Sequence, residues 1–205
     1  MRSALWLVPA LLASTSLFSQ SMGDLNGLLG GASSYVHQGL ASTHFTESLQ
    51  LAKVTADNGG DAAHLMTRGV DAVHWNFFYR IVTKPEVDLA ADQDAAKPKP
   101  KPKPRVHHAV LAECSRGIYG GFKYSPILIT DVKPLENTWI AIAMDDAIAQ
   151  LNANGYVRGF SEVELMRPSY PNVPDEYVYV FNCPWERAKV AISSQTGALT
   201  WASQY

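Results

Sequence analysis

Two stretches of this chain alternate in a way that only a sheet can use. In Val73-His-Trp-Asn-Phe-Phe-Tyr-Arg-Ile-Val82 the residues Trp75, Phe77, Tyr79 and Ile81 fall on one side of an extended strand. In Glu176-Tyr-Val-Tyr-Val-Phe181 the residues Tyr177, Tyr179 and Phe181 do the same. Both strands are apolar on their second side as well, through Phe78 in one and Val178 and Val180 in the other. A sheet covered by a helix on one side needs only one apolar face. The rings are therefore core, or packing between two modules, or a displayed surface. On the last reading Trp75, Phe77, Tyr79, Tyr177, Tyr179 and Phe181 are the candidate partner-binding residues, because these ring types are enriched where proteins bind one another.

Helical signals are fewer. Leu49, Ala52 and Val54 before Asn58-Gly59-Gly60 predict a helix starting near Thr46, and Ile140, Met144, Ile148 and Leu151 before Asn154-Gly155 predict another. Asp145 and Asp146 are expected to cap the second helix and offset its dipole. Composition narrows the class. The 205 residues are 47% hydrophobic and 18% charged with a net charge of −2, which excludes a disordered polyelectrolyte, a multi-span membrane protein and a basic nucleic-acid binder.

The N-terminus reads as an address. Met1-Arg2 is followed by an apolar run from Ala4 to Ala13 and by small polar residues, the pattern of a signal peptide over 1–21 cut after Ser19 or Ser21. No later apolar run approaches the roughly 20 residues of a membrane helix, so the mature chain is expected to be periplasmic or secreted, with no membrane span. Residues 22–43, rich in Gly and Ser, read as a flexible leader. In an oxidising compartment the pair Cys114 and Cys183 reads as a disulfide; the other reading is two buried free thiols.

Glu86, Asp88, Asp92 and Asp94 precede Lys97-Pro-Lys-Pro-Lys-Pro-Lys-Pro-Arg105. Alternating proline forbids helix and central strand, leaving polyproline II about 25 Å long over its eight Lys/Pro residues. The run reads as a solvated stiff spacer, or as a weak contact for anionic envelope polymers.

Read side by side, the halves match in order. Leu51–Val54 answers Ile148–Leu151, Ala63–Met66 answers Val163–Met166, and one aromatic strand answers the other. The expectation is an α+β fold of two degenerate repeats, each a helix packed on a small antiparallel sheet. The first spans 44–135, with an acidic and Lys-Pro insertion at 84–105, and the second spans 136–205.

The unit from Asp145-Asp-Ala-Ile-Ala-Gln-Leu-Asn-Ala-Asn-Gly155 to Val190-Ala-Ile-Ser-Ser-Gln-Thr-Gly-Ala-Leu199 resembles a PepSY-like module, with Thr196-Gly197 at the family's turn and Ser193-Ser194 where an acidic residue usually stands. Two in tandem resemble the β-lactamase-inhibitor-protein architecture. The resemblance implies a protein partner, such as a peptidase or cell-wall enzyme, bound or inhibited outside the cytoplasm.

Catalytic patterns are not found. The chain carries no Gly-rich phosphate loop, no Gly-x-Ser-x-Gly and no His-Glu-x-x-His. His107-His108 is the one tight histidine pair, and neighbours on a strand point to opposite faces. No metal, cofactor or catalytic residue is assigned. The function expected is an exported, non-catalytic binding or inhibitory module; the reading from another class is an envelope hydrolase whose site has no familiar signature.

Overall fold

The computed structural model of the chain describes residues 25–41, 48–61, 64–82, 106–125, 132–135, 140–171 and 173–205. Helix α1 (Leu25–Ala41) precedes strands β1 (Ser48–Asp57), β2 (His74–Val82), β3 (Val106–Ser115) and β4 (Ile118–Ser125). After the short β5 (Val132–Lys133), helix α2 (Met144–Ala153) precedes β6 (Glu162–Pro168), β7 (Val178–Cys183), β8 (Ala188–Ser193) and β9 (Leu199–Gln204). All join one nine-stranded sheet in the order β4-β3-β2-β1-β6-β7-β8-β9, with β5 paired to the end of β6. The seam between the halves is the antiparallel pair β1·β6, with Val54 opposite Leu165 and Ala56 opposite Val163.

Both helices lie on the same face of this sheet. Leu25, Leu28, Ala32 and Val36 of α1 and Met144, Ala147, Ile148 and Leu151 of α2 are buried in one continuous core with Phe77, Leu165, Tyr179, Phe181, Val190 and Ile192. The α2 set has the i, i+3, i+4, i+7 spacing and the α1 set steps of three, four and four residues, each of which turns one stripe of a helix inward. Side-chain and backbone bonds fasten the helices down. Asn26 of α1 donates to the Ile140 carbonyl and accepts from the Ile140 N–H, both at 3.2 Å. The Tyr119 hydroxyl donates to the Leu28 carbonyl at 2.9 Å, and the Tyr179 hydroxyl to the Ile142 carbonyl at 2.9 Å.

This overturns the expected two repeats, each a helix on its own small sheet. The molecule is one antiparallel sheet, mostly β, with a single core running across the seam. The matches between halves fail at their first member, because Leu51–Val54 lies in β1, not in a helix. A register slip between Leu51 and Lys53 explains the misreading. A bulge inserts one residue, so core-facing positions Leu51 and Val54 stand three apart, a helical spacing inside a strand. The first helix lies instead in the expected flexible leader. Its four glycines and two serines hide it, since such residues disfavour isolated helices and packing has to supply the stability.

Nor do the aspartates cap α2. The N-cap is Ala143, which makes no side-chain cap bond, and Asp145 accepts the N–H of Gly69 at 2.6 Å from the β1–β2 connection. The signal-peptide expectation over 1–21 and the acidic and Lys-Pro run lie outside the described residues. The strands flanking that run are paired to each other, Val82 opposite Val106.

Candidate functional site

The six aromatic residues expected to bind a partner are not displayed. Trp75, Phe77, Tyr79, Tyr179 and Phe181 are buried beneath the two helices, and Tyr177 is half-buried against the same core. Their polar atoms look inward: the Trp75 indole donates to the Ala72 carbonyl at 3.1 Å. Burial is the physical correction, since a ring under a helix cannot meet a partner. The expected disulfide is absent too. Cys114 and Cys183 are free and buried. They sit on β3 and β7, four strand intervals apart or roughly 19 Å, well beyond the about 7 Å that a bridge tolerates. Burial raises both thiols, that of Cys183 to about 12 with Glu186 adding to the effect.

The sheet face away from the helices is polar along its middle. Lys53 of β1 pairs with Glu164 of β6 at 3.0 Å, and Lys189 of β8 approaches the same carboxylate at 3.8 Å. His74 lies 3.5 Å from Asp57. Glu162, directly across from Asp57, has its carboxyl raised by burial and then by the neighbouring Glu164. Beside this ladder a small apolar cluster of Ala52, Val132, Met166, Val178, Val180 and Ala191 is buried, with Trp201 packed against it. The lysines and Glu164 satisfy one another along this ladder, whereas the Trp201 indole N–H is buried without a hydrogen-bond partner among the described residues.

One end of the sheet is different. Strand direction brings together the β1–β2 connection, the β3–β4 turn, the α2–β6 loop, the β7–β8 turn and Tyr205. Each of the four loops presents an exposed apolar residue and an arginine: Val70 with Arg68, Ile118 with Arg116, Val157 with Arg158, and Trp185 with Arg187. Exposure runs from 47% at Val70 through 63% at Val157 and 66% at Trp185 to 75% at Ile118, and Tyr205 at the edge is 64% exposed. The eight strands on the main path make this rim about 34 Å long.

The rim is held firmly. Arg158 stacks its guanidinium over Trp185 at 5.9 Å, linking two loops. Met66 and Phe160 form a two-bond bridge between the long connections, at 2.8 and 3.0 Å, and both side chains are fully buried. Gly159, at φ 88, lets that crossing close, since a Cβ there would stand 2.7 Å from the Met66 carbonyl. Asp71 accepts the N–H groups of Thr67 and Arg68 at 2.9 and 3.0 Å, shaping the turn beneath Val70. Arg116 and Arg187 occupy the left-handed region at φ 50, where a side chain is strained.

Sequence reasoning missed the rim: Arg116-Gly117 and Trp185-Glu-Arg187 sit at hairpin tips in the structure, and glycine or proline beside them is the signal that could have marked those turns. Their alignment at one end depends on strand order, which local pattern does not give. Among the described residues no group of three or more His, Cys, Asp or Glu could hold a metal ion. No described helix is long and apolar enough to cross a membrane. His107 and His108 stand at a register slip in β3, so strict alternation does not hold there; their side chains lie outside what is described. No family model, characterised protein or solved structure matches the chain.

Proposed function

We propose that the protein is an exported, non-catalytic binding or inhibitory module, and that it contacts its protein partner through the rim of loops at the upper end of its sheet. The observation that carries this is the fourfold pairing of exposed apolar residue with arginine, in a row, on loops fixed to a rigid sheet. Apolar and aromatic groups beside arginine are the composition of binding hot spots, and loops on a rigid scaffold are where binding residues concentrate. The likeness of residues 145–199 to PepSY-like modules supports the same reading, with a peptidase or cell-wall enzyme as the partner class it implies.

The test is photo-crosslinking in the native envelope fraction from a photoreactive residue at position 157. The expected result is one discrete adduct, suppressed by excess unlabelled wild-type protein and unaffected by excess Trp185→Ala/Arg158→Ala double variant. Equal suppression by both competitors would remove the rim from the interaction. A control label at Tyr170, exposed at the opposite end of the sheet, is expected to give no adduct.

A further inference from the structure

The charges of the rim differ in where they are spent. Its four loops carry four arginines, Arg68, Arg116, Arg158 and Arg187, against three carboxylates, Asp61, Asp71 and Glu186. The carboxylates are engaged within their own loops. Asp71 accepts the N–H groups of Thr67 and Arg68 and pairs with the Arg68 guanidinium at 3.2 Å. Asp61 lies 2.7 Å from the His64 ring, and Glu186 is half-buried, close enough to Cys183 to raise its thiol. Arg116, Arg158 and Arg187 are exposed, and none forms an ion pair with a carboxylate among the described residues.

Two of these three stand where the backbone favours another residue. Among the described residues, Arg116 and Arg187 are the non-glycine positions with positive φ. Each holds that strain while its guanidinium bonds to nothing described that would fasten the fold, so the side chain is free for a contact outside the molecule. Their hairpins are five strand intervals apart, about 24 Å. Arg158, on the loop entering β6, stands between them with its guanidinium held over Trp185.

We infer that the partner of the rim is a protein with an acidic face, whose carboxylates receive Arg116, Arg158 and Arg187 while its apolar groups meet Ile118, Val157 and Trp185. This rests on the rim being the binding surface. A guanidinium presents a planar fork that a carboxylate fits with two hydrogen bonds. An anionic polymer would satisfy the arginines, but it would leave the exposed apolar tip beside each of them without apolar cover; protein interfaces mix the two. The end of a sheet also offers no strand edge along which an extended acidic peptide could pair. The net charge of −2 gives no general attraction for anions, so the attraction is local to these loops.

The test uses the photoreactive residue at position 157 in the native envelope fraction. The adduct yield is expected to fall several-fold between about 50 and 300 mM NaCl, as screening shortens the reach of exposed charges. As unlabelled competitor, Arg116→Gln/Arg187→Gln is expected to be weaker than wild type by roughly 100-fold, about tenfold for each partner carboxylate left unpaired. Glutamine leaves the tip conformation no easier, and Arg116→Lys/Arg187→Lys, which keeps the charge, is expected to stay within about tenfold of wild type. Blocking the carboxylates of the envelope fraction with carbodiimide and glycinamide is expected to abolish the adduct, and nuclease treatment to leave it unchanged. An adduct indifferent to salt and to the glutamine variant, yet still not suppressed by Trp185→Ala/Arg158→Ala, would overturn the acidic partner and leave the rim in place. Loss of the adduct on nuclease treatment would overturn it in favour of a nucleic acid. No adduct at all, or equal suppression by Trp185→Ala/Arg158→Ala, would remove the rim itself and the inference with it.

Discussion

Arg116 and Arg187 hold φ 50 at the tips of two hairpins, a conformation that costs an L-residue roughly 1–2 kcal/mol and that Gly or Asn takes up readily. Arg116 precedes Gly117 at φ 82, so the β3–β4 turn has the double positive φ for which Asn-Gly is the favoured pair. Arg116→Asn should therefore raise stability by about 0.5–1 kcal/mol, read as a higher urea midpoint at unchanged slope. If the rim binds a partner as proposed, the same variant should weaken partner capture, since it removes one of the four guanidiniums there. Tyr179 poses the opposite case. It is 1% exposed and its hydroxyl is bonded, so Tyr179→Ala should cost about 3–5 kcal/mol as a buried aromatic does. Thiol reagents should find neither cysteine in the native protein at pH 8 and both after denaturation; a failure to titrate both in denaturant without reductant would restore the disulfide. Alternation named these aromatic residues correctly as one face of a strand. What it could not say is which side the helices cover, because α1 is hidden in a Gly- and Ser-rich segment.

At the scale of elements, α1 depends on a fit and not on propensity. Gly31 faces the Tyr119 ring so closely that a Cβ would collide with the hydroxyl, and Tyr35 stacks on the same ring with centroids 5.5 Å apart. Gly31→Ala, which would stabilise an isolated helix by about 1 kcal/mol, should here lower the stability of the protein. A raised melting temperature in that variant would detach α1 from β4. At the seam, Asp57 and Glu162 face each other and Glu162 has its carboxyl raised above its ordinary 4.5 by burial, then by Glu164. A raised carboxyl binds its proton more tightly folded than unfolded. Its contribution is fully present below about pH 4.5 and is lost as pH rises through the folded value. Glu162→Gln should thus be more stable than wild type at pH 7, with the difference closing on acidification toward pH 4. Helix α2 and strands β2 and β7 were legible because each keeps one period throughout. Strand β1 was not, because its bulge at Leu51–Lys53 mixes two periods within one element.

The whole molecule joins its halves along β1·β6 and roofs the seam with two helices on one face. Buried residues from both halves form a single cluster, in which Phe77 and Ala112 belong with Phe181 and Val190. Sequence pattern suggested two similar halves, each with its own small core; strand order, a long-range property, decides instead for one. That unity also keeps the rim in line, since two of its arginine-bearing loops come from the first half and two from the second. The central claim is therefore that the halves fold and unfold together. Native-state hydrogen exchange measures this most directly, by comparing the slowest amides of β2 and β3 with those of β7 and β8 under mild urea. The expected result is one shared opening free energy with one shared urea slope, as for a single cooperative unit. A first half whose amides exchange through a separate opening, with lower energy and about half the slope, would contradict it and return the molecule to two modules.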